Sequence, residues 1–194
     1  MRFTASCDID GARVVELERR VDDRGYFARM WCETELADHV EAPRISAINV
    51  GFSPAVGTLR GMHFQTAPHD EVKYVRCTRG AAFDVLVDLR PESPTHLRWF
   101  GAELTAGGDT MLLVPAGCAH GYLTLAPDTE LMYLTDKPYA ASAAGGIRYD
   151  DPAIGIEWPA PIVVVSDADR NWPLLVPTDD TSHGTDKEAS NDHR

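Results

Sequence analysis

Long apolar runs are missing from this chain of 194 residues. None approaches the roughly 20 residues that a helix needs to cross a bilayer. Met1-Arg-Phe-Thr4 leads into no apolar region, so no secretory leader is expected. The four cysteines, Cys7, Cys32, Cys77 and Cys118, show no CxxC spacing and sit in apolar or strand-like contexts. They read as reduced, buried thiols of a cytoplasmic protein. Positive charge is short: 18 Lys and Arg stand against 30 Asp and Glu, for a net charge of -12. That argues against a nucleic-acid or anionic-membrane surface, both of which want a basic face. It leaves room for an anionic small ligand held by a few cations inside a pocket. Also absent are internal repeats and any helix-period segment long enough for βαβ crossovers, which argues against a parallel α/β sheet.

What the chain does have is many short β-type runs with Gly and Pro punctuation every eight to twelve residues. That pattern predicts an all-β sandwich or barrel with short peripheral helices. One domain is expected over 1–178, and its 44% hydrophobic content is enough for a real core. Residues 1–58 read as extended pieces, with a strand over 45–50 and a short helix over 33–39, capped by Thr34 and stopped by Pro43. The body spans 59–158. In Val72-Lys-Tyr-Val-Arg-Cys77, Lys73, Val75 and Cys77 share one face. Phe83, Val85, Val87 and Leu89 alternate against Asp84, Leu86 and Asp88. Ile162-Val-Val-Val165 is a late strand, followed by the acidic Ser166-Asp-Ala-Asp169-Arg170. Residues 179–194 lack apolar content and are expected to be a disordered tail, so His183 and His193 carry no functional weight.

The densest chemistry is in Arg60-Gly-Met-His63-Phe-Gln65, with a second histidine in Pro115-Ala-Gly-Cys-Ala-His120-Gly121. His63 is either a core histidine or a proton-transfer base. Arg60, Lys73, His120 and Tyr133 also lie on apolar strands. So many titratable side chains are hard to satisfy without a shared polar cavity. Strand parity raises a difficulty, because Arg60 and His63 differ by three and should point to opposite faces. A bulge at Gly61 would bring both inward. Lys73 is a solvated strand lysine or an oxyanion stabiliser. Tyr133 is a core tyrosine or a functional phenol. Arg24, in the turn Asp22-Asp-Arg24-Gly25 beside Tyr26 and Phe27, could pair with phosphate while an aromatic stacks on a base. A histidine base needs an orienting carboxylate, and Asp167 and Asp169 both qualify. A metal-dependent barrel is the sharpest rival. His69, Glu71 and His120 would donate, but glutamine at Gln65 stands where such barrels have a second histidine.

Taken together, these segments resemble the dTDP-4-dehydrorhamnose 3,5-epimerase family. The resemblance covers roughly residues 16–175. It rests on Asp23-Arg-Gly-Tyr-Phe27, Leu59-Arg-Gly-Met-His-Phe-Gln65, Phe83-Asp-Val-Leu-Val-Asp-Leu-Arg90 with Ser93-Pro-Thr95, Pro115-Ala-Gly-Cys-Ala-His-Gly121, and Asp150-Asp-Pro-Ala-Ile-Gly-Ile-Glu-Trp-Pro159. The resemblance implies a cupin-like jelly-roll β-barrel, dimeric and without metal or other cofactor, acting on a nucleoside-diphosphate 4-keto-6-deoxy sugar. It implies His63 as base, Asp169 as its orienting acid, Tyr133 as proton donor, and Lys73, Arg60 and His120 around the sugar and enolate. Arg24 and Asn49 match nucleotide- and substrate-contacting positions. The rival functions are a metal-dependent dioxygenase or sugar isomerase, and a non-catalytic sugar-binding cupin.

The sequence also departs from the family pattern. Arg29 stands where the family has Glu, and Ala47-Ile48-Asn49 where it has Gln-Asp-Asn. Ala144 replaces a Glu. Ser166-Asp-Ala168-Asp169 loses the lysine of Ser-Glu-Lys-Asp, and Lys137-Pro-Tyr139 replaces Asp-Tyr-Tyr. The implied proton-transfer residues are all kept, so the expectation is a conserved reaction type with an altered nucleotide or sugar.

Overall fold

A computed structural model describes residues 1–4 and 8–175. Position Cys7 and the expected tail over 179–194 lie outside the described residues. Among the described residues, fourteen strands make up most of the regular secondary structure. They are β1 (Arg2–Thr4), β2 (Arg13–Glu16), β3 (Arg20–Asp22), β4 (Gly25–Phe27), β5 (Ala47–Ser53), β6 (Thr58–Gln65) and β7 (Lys73–Arg79), then β8 (Ala81–Asp88), β9 (Trp99–Thr105), β10 (Thr110–Val114), β11 (Cys118–Thr124), β12 (Thr129–Thr135), β13 (Ala144–Gly146) and β14 (Val164–Val165). Two one-turn helices, α1 (Glu33–Leu36) and α2 (Asp167–Arg170), complete it.

One sheet runs β1-β2-β10-β7-β12-β5 and the other β13-β6-β11-β8-β9, with β14 added parallel to β6. All other pairings are antiparallel. This is the all-β, cupin-like barrel expected. Its central core lies between the sheets: Val75, Cys77, Leu112 and Leu131 of the first meet Ala82, Leu86, Leu104 and Tyr122 of the second. The outer face of each sheet is covered too. Tyr74, Met111, Leu113 and Leu134 pack under α1 and the N-terminal segments. Met62, Val85, Val87 and Ala119 pack under Ile147, Ile154 and Trp158. Double coverage explains why β7 is buried from Lys73 through Cys77 rather than on one face only.

Several expected elements end elsewhere. The helix over 33–39 is a single turn ending at Leu36, and its N-cap is Cys32, with no side-chain cap bond. Thr34 lies inside that turn, where a residue cannot cap; its hydroxyl sits 3.3 Å from the Cys32 thiol. Beyond Leu36 the chain is held instead by the His39 ring stacked on Phe3 at 3.9 Å. The strand placed at 45–50 is β5, drawn on to Ser53 by continuous pairing from Ala47↔Thr135 to Ser53↔Thr129. The late strand keeps only Val164 and Val165. The acidic segment after it forms α2, capped by the Ser166 hydroxyl accepting from Asp169 N–H at 3.1 Å.

Candidate active site

β6 supplies the centre of the site, and its geometry depends on two glycines. Opposite β11 the register passes from His120↔His63 to Tyr122↔Arg60, so β6 carries one extra residue. That is a bulge, and it resolves the parity difficulty: Arg60 and His63 both line one cavity, while Met62 turns to the outer core. Gly61 has φ of +138°, and a Cβ there would stand 2.6 Å from Gly121 Cα. A Cβ on Gly121 would stand 2.7 Å from the Arg60 carbonyl oxygen. The bulge exists because neither strand has a side chain at the crossing.

The cavity measures about 590 Å³ and opens to solvent between the sheets. Arg60 and His63 enter from β6, His120 from β11, Lys73 from β7, Tyr133 from β12 and Asn49 from β5. Water reaches this interior: the His63 side chain is 47% exposed. His63 Nε2 lies 2.6 Å from Asp169 Oδ1. Asp169 is buried at 5% exposure, whereas Asp167 is exposed, and this decides between the two acids. Burial pushes the Asp169 carboxyl up. The bond to His63, with help from the Ser166 cap and the Gly61 N–H, outweighs it and leaves Asp169 below its ordinary value. An ionised Asp169 fixes the tautomer, because the ring nitrogen facing it must carry the hydrogen and the other stays basic.

Tyr133 reaches the cavity from the opposite sheet. Burial pushes its phenol up, with Glu71 acting in the same direction, so it stays protonated and can donate. His120 Nε2 sits 2.8 Å from Asp84 Oδ1, a second imidazole–carboxylate pair, with Asp84 fully buried. Arg60 donates from Nε to Ser53 Oγ at 3.2 Å and from Nη2 to the Phe52 carbonyl at 3.1 Å, which ties it to β5. Lys73 pairs with Glu71 at 3.2 Å.

Arg24 is the candidate that the fold leaves apart. It sits in the turn of the β3–β4 hairpin, exposed, paired with Asp22 at 2.5 Å, and does not line the cavity. Arg29 lies in a separate surface depression, 2.6 Å from Glu35. Ala47, Ala144, Lys137 and Tyr139 do line the cavity, while Ile48 points outward. Two of the three side chains of the metal reading, Glu71 and His120, have other partners. Gln65 Nε2 donates to the His69 carbonyl at 3.0 Å and to Glu71, and His120 is held by Asp84. Among the described residues no three His, Cys, Asp or Glu converge to hold an ion.

Sequence reasoning did not single out Asp84 as the partner of His120, nor Gln65 and Glu71 as a linked pair. The available signal for Asp84 was an acid on the same parity as Leu86 and Asp88, in a strand whose remaining residues are apolar.

The family model for dTDP-4-dehydrorhamnose 3,5-epimerase matches residues 6–176. The chain belongs to the dTDP-4-dehydrorhamnose 3,5-epimerase family. It is 42% identical over 174 residues to the dTDP-4-dehydrorhamnose 3,5-epimerase of Sinorhizobium fredii, covering 89% of each chain. A dTDP-4-dehydrorhamnose 3-epimerase of Streptomyces niveus is 33% identical, over 86% of this chain and 81% of that one. The crystal structure of the Bacillus anthracis 3,5-epimerase, with TDP and pyrophosphate bound, superposes with a TM-score of 0.83 at 37% identity. That match covers 88% of this chain and 98% of the other. As a member of this epimerase family the chain is an isomerase-class enzyme.

Proposed function

We propose that the chain inverts C3, C5 or both in a nucleoside-diphosphate 4-keto-6-deoxyhexose, with the residues above in defined roles. The ketone at C4 acidifies the neighbouring C–H bonds. His63, neutral and oriented by Asp169, takes the proton, and the electron pair moves onto the C4 oxygen as an enolate. The Lys73 ammonium, with Arg60 and His120, stabilises that charge. Tyr133 returns a proton from the opposite face, and solvent restores the phenol and the imidazole. No cofactor enters these steps. The observation that carries the reading is an acid-oriented imidazole and a phenol entering one cavity from facing sheets.

The nucleotide end is where the substrate differs from the usual one. Ala47, Ala144 and Lys137 line the cavity where the family has Gln, Glu and Asp, which removes acidic and amide groups and adds a cation. Asn49 and Arg24 contact the nucleotide part. Since Arg24 lies outside its own cavity, it does so in a homodimer, against a neighbouring subunit's ligand. The dimer is supported by β5, an edge strand that exposes Ile48, Val50 and Phe52. The setting is cytoplasmic, consistent with the thiols Cys32 and Cys77.

The test is incubation with a panel of nucleotide-linked 4-keto-6-deoxy sugars in D2O. Deuterium at C3 or C5, seen by NMR, is expected for at least one sugar. Inertness toward all of them contradicts the reading. A preference for dTDP over CDP and GDP sugars equal to that of the relatives contradicts the altered nucleotide end.

A further inference from the structure

Glu71 is the carboxylate of the cavity for which the steps above have no use. It sits two residues before Lys73, and both side chains are nearly inaccessible, at 10% and 8% exposure. Glu71 Oε1 meets the Lys73 ammonium at 3.2 Å. The same ammonium donates to the His63 carbonyl at 3.3 Å, next to the base. An ammonium has three donors. Two are committed to these partners, and the third is available to a ligand oxygen.

Glu71 is itself held. Its other oxygen, Oε2, accepts from Gln65 Nε2. Gln65 is fixed at both ends of its amide: Nε2 donates to the His69 carbonyl at 3.0 Å, and Oε1 accepts from the Ala140 N–H at 2.6 Å. The buried amide thus locks the acid, and the acid locks the lysine. An ordinary strand lysine needs no such chain of contacts.

We propose that Glu71, clamped by Gln65, is a positioning residue that keeps the Lys73 ammonium charged and aimed at the oxygen where the substrate's negative charge develops. The term substrate rests on the keto-sugar reading; the ion pair does not. Burial drives Lys73 toward its neutral form, and Glu71 is the strongest group opposing it. Asp84 on β8 and Cys118 on β11 act in the same sense as Glu71. The other cations lining its cavity are Arg60 on β6 and Lys137 after β12; the imidazoles of His63 on β6 and His120 on β11 and the phenol of Tyr133 on β12 line it too. Without Glu71 the balance tips toward a neutral amine, a far weaker partner for an enolate.

The chain has only three lysines, Lys73, Lys137 and Lys187, so lysine labelled with 13C at Cε gives a readable titration. Lys73→Arg assigns the signal. Glu71→Gln is expected to lower the Lys73 midpoint by about one pH unit or more, tenfold in the neutral fraction, with Lys137 unmoved. The alkaline limb of activity moves to lower pH by the same amount, through kcat more than KM. Glu71→Asp, which keeps the charge, falls nearer the wild type. Gln65→Leu, which frees the acid without removing it, lowers the midpoint by less. A Lys73 midpoint equal to the wild type in either folded variant, Glu71→Gln or Gln65→Leu, overturns the proposal. Failure of the keto-sugar reading looks different: wild-type protein inert to every 4-keto sugar at all pH, with the Lys73 shift intact.

Discussion

At the scale of residues, the site divides by what a strand pattern can express. His63, Lys73, His120 and Tyr133 were legible because polar groups on apolar strands need a reason to be there. The choice of Asp169 over Asp167 was not legible from the residues themselves. Both stand in an acidic stretch with no hydrophobic period, and only the Ser166-capped turn of α2 buries one and exposes the other. Glu71, in the loop before β7, reads from the sequence only as a metal donor; Asp84, on β8, was hidden for another reason. On strands covered on both sides, burial no longer tells which face is the cavity. The His63–Asp169 contact gives a direct prediction. Asp169→Asn leaves a neutral amide that can present its N–H to the ring and fix the wrong tautomer. We expect kcat to fall on the order of 10²–10⁴-fold with little change in KM. Steady-state kinetics on a variant with an unchanged circular dichroism spectrum checks this, and a loss confined to KM contradicts it.

At the scale of elements, the pairing of β6 with β11 carries the site, and two glycines in the sequence were its visible trace. The end of the Phe83–Arg90 motif, Asp88 to Arg90 with Ser93 and Thr95, has a different meaning from Asp84, which holds His120 at the cavity. Asp88, at the end of β8, is fully buried and gathers Arg90 through two bonds of 2.8 Å, Thr95 at 2.7 Å and Ser93. It fixes the β8–β9 connection and touches no cavity residue. Burial alone would push this carboxyl up; Arg90, Ser93 and Thr95 outweigh it and hold it well below the usual carboxylate range. The sign follows from a folded pKa below the unfolded one. The network contributes its full stability above the unfolded value of about 3.9 and loses it progressively as pH falls below that. Asp88→Asn leaves Arg90 without its counter-charge and is expected to cost about 3 kcal/mol at pH 7. The cost shrinks toward pH 3, because the wild type is losing the same contribution there. Urea melts of both proteins at the two pH values test this, and a cost independent of pH contradicts it.

At the scale of the whole molecule, a chain of net charge -12 gathers three cations, Arg60, Lys73 and Lys137, around one cavity. Fold class was legible because punctuation by Gly and Pro is local. How the sheets are covered was not, since it depends on segments such as 147–158 packing against strands far away in sequence. The unpaired edge of β5 is also a property of the assembled barrel. Val50→Glu places a charge in the middle of its exposed apolar row, and we expect it to convert a dimer to a monomer in light scattering at micromolar concentration. A wild-type protein that is monomeric there contradicts the homodimer and removes the proposed route by which Arg24 meets a nucleotide.

The claim on which most depends is that His63 and Tyr133 act on opposite faces of one ring, the first removing a proton and the second returning one. Deuterium exchange and epimerisation of the same 4-keto sugar, followed together by NMR in D2O, separate the two. His63→Ala is expected to abolish both, while Tyr133→Phe keeps exchange and loses most inversion. Wild-type exchange in His63→Ala would contradict the account.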